Sequence, residues 1–571
     1  GTGNGPLLPY YVASNATITV ADAPTTELTI NDGVEVYWDS GAQLDVGVGA
    51  AGRLVIGDEG AGTPSSVLFS ATDDLIINGL NWDGVTFGTL DNDSYINGLV
   101  VEFGGANNQG NLAVNDSGPN FQNITSRFSD SNGIYITGAN ATPLIQNSNL
   151  VDNDQDGVFV NNGSGIARVD EDEQPARTFS NNTCTGNGFA PIRLPPNLLG
   201  ELDDTTTFSG NGELITVFGG TVLETALWRK LDEDYYFEGT VQIGGPQDPI
   251  VEIDPGVRVE MARDVSFTVG RIDDGTIIID AATDPVILES ADVQPGPGDW
   301  FGLIIGDNGA LFQQTSIDGL IVNHAGGSDV TLPGGAIELD SRNTCGAYSD
   351  PVTLSNVVVN QSSKMGFLAG DTTQVHLRDW EINTPYEGYC LWFITEPNDC
   401  PAVLLEHDNI ICNGSHSGKY PGGSIGVIDP NDTFVGGIIV DQTAMVTDDT
   451  WPSLNVPYQM LDNMVISSGA ELTIDDGVII EMDEEAGLTV GGGPLSTGSL
   501  TAVGAATTLQ QASGPWEGIT INYGTLDLQN LTIDGAGALY DGGIVNLWGS
   551  GTIANVNMVN TANACDYYDR N

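Results

Sequence analysis

Short apolar segments recur along the whole sequence, and turn chemistry separates them. ELTI, SYINGLVVEF, GLIIG, SNVVVN and ANVNMV alternate with clusters of Gly, Asn, Asp, Ser and Thr. β-Branched residues are common at the apolar positions, and stretches of the Ala/Leu/Glu/Lys type that favour helices hardly occur. Short strands at regular intervals, bounded by Gly/Asn/Asp turns, predict an all-β chain. This pattern alone also admits tandem β-sandwiches or a propeller.

Internal repeats narrow the choice. LTINDGVEVYWDSGAQLDVG (from Leu28) matches VEIDPGVRVEMARDVSFTVG (from Val251) and LTIDDGVIIEMDEEAGLTVG (from Leu472). Their turn glycines, Gly33, Gly256 and Gly477, are spaced 223 and 221 residues apart. A Trp-x-Gly strand follows in each, NWDGVTFG, DWFGLIIG and PWEGITIN, with Trp82, Trp300 and Trp516 spaced 218 and 216. A third landmark, around Trp228 and Trp451, repeats at 223. These periods divide the chain into units 1–212, 213–435 and 436–571, the last shorter than the others. Within a unit runs a finer period: Asn123 and Asn147, like Gly133 and Gly157, lie 24 apart, and the ten-residue Asn-to-Gly interval recurs from Asn356 to Gly366. Each such segment reads as strand, Asn bend, strand, Gly turn, strand, with Asn tolerating left-handed backbone and Gly supplying positive φ. Stacked segments of this kind predict a parallel β-helix, with inward ladders of Ile, Val, Leu and Phe.

The phrasing LTIDDGVIIEM, then GGGPLSTGSLTAVG, then GPWEGITI, resembles the right-handed parallel β-helix repeats of large secreted bacterial proteins, the pectate-lyase-like architecture. The resemblance covers most of the chain in three passes. It implies a right-handed solenoid of three pseudo-repeats and a secreted, extracellular or cell-surface setting. It implies no single activity, because this architecture serves lyases, hydrolases, adhesins and structural surface proteins alike.

Charge then excludes several partners. Fifteen Lys+Arg against 77 Asp+Glu give a net charge of −62. A nucleic-acid binder needs clustered cations, and polyanionic substrates or anionic membranes would be repelled by this field. No apolar run approaches membrane-spanning length, and the start GTGNGPLLPYY has no charged-then-apolar leader, so the sequence reads as a soluble mature region. The acidic clusters, among them TDD (72–74) and VDEDE (169–173), read as solvated surface. The sequons at Asn123, Asn140, Asn360 and Asn530 read as chance in an Asn/Thr-rich chain.

Catalytic constellations are harder to find. No His is flanked by glycines and no Arg-x-Lys occurs, although β-helix hydrolases of uronate polymers use both. His407 and His416 lie nine apart beside Glu406 and Asp408, but solvated or hydrogen-bonded His is ordinary at such positions. The sharper feature is VDNDQDGVFV: Asp152, Asp154 and Asp156 before Gly157 could wrap a calcium ion at a turn, without the bidentate Glu of an EF-hand loop. Six cysteines form no zinc pattern; Cys345 and Cys400, in comparable loops, are the first choice for a disulfide, and Cys184 and Cys412 read as small buried hydrophobes. Trp380, Tyr386, Tyr389 and Trp392 are the best candidates for contacts to a glycan, against a reading in which they pack over a loop.

Together these features predict a non-catalytic extracellular structural protein: a surface or matrix β-helix, stiffened by calcium, associating end to end with copies of itself as a filament subunit or forming an adhesin stalk. Neither end of the sequence reads as a cap, which is what suggests the end-to-end contact. The alternative is a carbohydrate-active enzyme or glycan-binding protein.

Overall fold

The structure is a computed structural model and describes residues 8–571 apart from 23–25, 58–62, 92, 167–178, 307–313, 328–333, 341–351, 371–373, 384–387, 394–402, 415, 442–443, 538–541, 562–564 and 570–571. The chain is all-β, and every pairing between its described strands is parallel. It forms two compact units, Gly1–Ala262 and Arg263–Asn571. Among the described residues no helix is long and apolar enough to cross a membrane.

In the first unit three parallel sheets are filled in rotation, so that a strand pairs with the one reached after two intervening strands. One sheet begins Tyr10–Val12, Glu35–Trp38, Val67–Ala71 and Leu99–Glu102. The second begins Thr26–Ile30, Gly52–Ile56, Tyr95–Asn97 and Asn120–Gln122. The third begins Thr17–Val20, Gln43–Val46, Gly84–Phe87, Gly110–Asn115 and Asn132–Thr137. Register in the third sheet stacks Leu44, Val85, Leu112, Ile134, Val158 and Ile192 in one column, each at most 1% exposed. Burying each such side chain contributes about 1.5–3 kcal/mol. Alternation within each strand turns the neighbouring residues outward.

The second unit also rotates its strands among parallel sheets, but between Gly302 and Tyr420 each strand pairs with the one reached after a single intervening strand, because long strands such as Ser316–Asn323 pair with two shorter ones, Thr276–Asp280 and Val286–Ser290. A long parallel sheet includes Ser266–Val269, Gly302–Gly306, Gly335–Asp340, Met365–Ala369, Tyr389–Phe393 and His416–Tyr420. Four long strands, Ser316–Asn323, Val352–Asn360, Gln374–Asn383 and Val403–Cys412, pair successively in another sheet.

Equivalent positions of the three sequence repeats adopt equivalent conformations. Gly33, Gly256 and Gly477 have φ of 75°, 72° and 90°. Trp82, Trp300 and Trp516 are fully buried. Each donates its indole N–H to a backbone carbonyl further along the chain: Glu102 at 2.9 Å, Asn323 at 2.8 Å and Asp534 at 2.8 Å. The Trp228 and Trp451 segments match as well, since Tyr235 donates to the carbonyl of Arg229 and Tyr458 to that of Pro452, both at 2.7 Å.

The Asn bends are left-handed as expected, with φ of 51°, 52° and 52° at Asn123, Asn147 and Asn356. The glycines ten residues on require a correction. Gly133, Gly157 and Gly366 are absent from the positive-φ residues; they are small because the next strand is too close. A Cβ would stand 2.5 Å from the Gly157 carbonyl oxygen at Gly133, 2.5 Å from that of Pro191 at Gly157, and in contact with the Ile382 side chain at Gly366. The TDD run is solvated as expected: Asp73 and Asp74 are exposed, in the first turn of a short helix, Asp73–Asn78.

The Trp-x-Gly glycines combine both constraints. Gly84, Gly302 and Gly518 have φ of 103°, 119° and 101°, and a Cβ there would meet the carbonyls of Gly110, Gly335 and Gly543 at 2.6, 2.4 and 2.6 Å. Gly163 is also left-handed, at φ +86°, but has nothing within 4 Å. Gly163→Ala is therefore expected to cost about 1 kcal/mol. Gly84→Ala should cost at least about 3 kcal/mol, because backbone must shift as well. Urea unfolding of the two variants checks the difference; equal losses would remove the steric argument.

Candidate functional sites

The bend Asp152–Gly157 carries the acidic triplet, and its three carboxyls have different surroundings. Asp152 is left-handed, with φ 53°, and exposed; Asp154 is exposed too. Asp156 enters the core just ahead of strand Val158–Val160 and is 2% exposed. One of its oxygens accepts the Ala190 N–H at 2.9 Å, and the other lies 3.3 Å from Arg193 Nε. Arg193 also reaches Glu213 at 2.8 Å and Glu238 at 3.0 Å, so one guanidinium serves three carboxylates. Among the described residues no group of three or more His, Cys, Asp or Glu side chains is placed to hold a metal ion. A different acidic pair does interact: Asp130 is pushed up from the ordinary carboxyl range by burial and then by the charge of Asp154. These two are 24 apart, one repeat period.

Outward from the same sheet, Tyr135 and Phe159 stack at 5.3 Å, and Phe218 meets Phe159 edge-on at 5.7 Å. The sequence pattern pointed to neither Arg193 nor this column. The 24-residue period, extended strand by strand, would have paired Tyr135 with Phe159.

The four aromatic candidates of the second unit are divided by the structure. Trp380 is corrected: it is 1% exposed, packs edge-on against Phe367 at 5.3 Å, and donates its N–H to the Leu354 carbonyl, so it has no face for a sugar. Tyr386 lies outside the described residues. Tyr389 and Trp392 are half-buried and come together at 5.8 Å. The strand His416–Tyr420 completes this cluster, placing the Lys419 ammonium 4.9 Å from the Trp392 ring centroid and His416 5.4 Å from Tyr389. Lys419 is further tied to Asp441 at 2.8 Å.

Cys345 and Cys400 both lie outside the described residues, so their pairing does too. Cys390 and Cys412 form a disulfide, with Cα atoms 5.9 Å apart. Cys412 is buried as a small hydrophobe would be, but it is bonded; its partner ends up beside it because successive strands face one interior. Cys184 is free and buried, and burial pushes its thiol far up.

His407 and His416 do not converge. His416 is exposed, whereas His407 is 2% exposed. Its Nδ1 lies 2.5 Å from an oxygen of Asp432 and its Nε2 2.8 Å from the Tyr420 hydroxyl. The other Asp432 oxygen accepts the Ile410 N–H at 2.7 Å. Burial holds Tyr420 well above its ordinary pKa, so the hydroxyl stays protonated. All three side chains are closed off from solvent, so the arrangement ties strands together and does not present a reacting group.

No family model matches the chain, and no curated protein is similar to it.

Two outcomes are expected from these sites. Burial pushes Asp156 up to about 6, against the pull of Arg193, and Asp91 is likewise raised to about 6. The folded state therefore binds these protons more tightly than the unfolded chain, whose aspartates titrate near 3.8. The cost of burying the charged form is full above pH about 6 and disappears as pH falls toward 4; for Asp156 it is about 3 kcal/mol. Asp156→Asn should remove its share of that slope and leave the share of Asp91, measured as unfolding midpoints across this range. His407→Ala strands the buried Asp432 and should cost about 3–5 kcal/mol. The surface control Thr283→Ala, at an exposed position, should stay within about 0.5 kcal/mol by the same measurement.

Proposed function

We propose that the chain winds as a right-handed parallel β-helix and works as an extracellular structural element, a surface or matrix rod whose copies associate end to end. The observation that carries this reading is the rotation of strands among parallel sheets, with pairing after two other strands where the first unit opens and after one where the long strands of the second unit run. Such an order is what winding within each unit would produce. The repeats Trp82, Trp300 and Trp516 support one construction plan extended along the chain. The acidic surface suits a secreted rod that must stay dispersed laterally.

Copies of the chain in this reading meet through apolar surface of the kind that lines a cavity of about 460 Å³ beside Tyr10, Ile18, Ile30, Val36 and Trp38. Calcium in this reading acts on exposed columns such as Asp130 and Asp154, relieving their repulsion.

A second reading, glycan binding, rests on the half-buried Tyr389 and Trp392 beside Lys419. The two part in experiment. Negative-stain microscopy of the secreted protein should show unbranched filaments of constant width that shorten in chelator. Discrete particles at every concentration would refute the structural reading. Saturable binding to a glycan panel, abolished by Trp392→Ala, would establish the second.

A further inference from the structure

The sheet of long strands in the second unit carries a groove that the foregoing does not use. Each strand changes direction at a left-handed residue, Gly319, Asn356, Asp379 and Asn409, with φ of 95°, 52°, 54° and 55°. Beside this line lies a concavity of about 320 Å³, lined by Ile321, Val358, Ile411, Asp379 and Glu381 among others. Register places Ile321, Val358, Glu381 and Ile411 side by side across the four strands, so the floor is aliphatic with one carboxylate set into it. Ile411 is 37% exposed.

The polar chemistry of the groove has one sign. Asn356 donates its amide to Asp318 and Asn409 donates its amide to Asp379, both at 2.5 Å. Each amide spends one of its two N–H donors within the wall and keeps its oxygen as an acceptor, so the groove's net charge comes from its carboxylates alone. Asp379 and Glu381 add carboxylate oxygens, and the lining contains no Lys, Arg or His. An occupant must supply donors and positive charge, and must also cover an aliphatic strip. Four strands spaced about 4.8 Å apart give a run of about 14 Å, the reach of four or five extended residues.

We propose that this groove docks an extended segment of a partner protein that presents Lys or Arg together with aliphatic residues on one face. The cations face Asp379 and Glu381, and the aliphatic side chains lie on Ile321, Val358 and Ile411. The acidic field of the whole molecule raises the rate of encounter, while the groove selects the binding register.

The test uses the full chain and a fluorescent pentapeptide, Lys-Lys-Leu-Leu-Lys, which carries both residue types on each face when extended, followed by anisotropy at physiological salt. Saturable binding is expected, and Asp379→Asn with Glu381→Gln should weaken it at least about tenfold, the size of effect a pair of close charges has. Ile411→Ser should weaken it independently, with folding confirmed by circular dichroism. Asp248→Asn with Glu252→Gln removes the same charge from the exposed surface of the first unit and should leave binding unchanged. An equal loss in that control, or no loss in the groove variants, would overturn the proposal in favour of unspecific attraction. Equally tight, groove-dependent binding of a neutral oligosaccharide or of a second copy of the chain would overturn it in favour of that occupant.

Discussion

Parallel backbone pairing sets what every other part of this protein can do. When strands stack in parallel at about 4.8 Å, residues in the same register position form a column, and each side chain has its counterpart as nearest neighbour. Aliphatic columns gain from this, as the Leu44-to-Ile192 column does. Charged columns lose, because like charges placed directly opposite repel. A chain of net charge −62 therefore faces a problem in the arrangement of its acids.

The solution is written in hydrogen bonds between neighbouring columns. Carboxylates are set against amides of the neighbouring strand: Asn356 donates to Asp318, Asn409 to Asp379, Asn560 to Asp534. Elsewhere amides stack on amides, as Asn323, Asn360, Asn383 and Asn413 do at 2.8–3.0 Å. Each amide both donates and accepts, so such a ladder extends without a charge cost. Two acids that enter the interior meet hydrogen-bonding partners there. Asp156 has Arg193, and Asp432 has His407 and a backbone N–H. The abundance of Asn beside the acids is thus a structural requirement of the stacking.

Much of the fold was legible because its constraints are local or periodic. A Trp-x-Gly strand needs a left-handed glycine under the next strand's carbonyl whichever repeat it occupies, so Gly84, Gly302 and Gly518 show in sequence. Asn at a bend declares itself for the same reason. The sites were less legible. The alternating aspartates of the 152–156 bend look equivalent on paper, yet the chain turns Asp156 inward onto an arginine 37 residues away. Trp380 looks like a loop aromatic until the strand Gln374–Asn383 is seen to run through it.

Sequence by itself determined the strand content, the repeat period and the residues able to bend, because each depends on one residue's backbone preference or on spacing along the chain. Tertiary structure alone decided the burial of Trp380, the Cys390–Cys412 bond, the enclosure of His407 by Asp432 and Tyr420, and the approach of Lys419 to Trp392. Each of these depends on the loop length between strands, which fixes the residues that share a column, and on the side of the sheet to which register turns them. A single residue of slip would reverse that side.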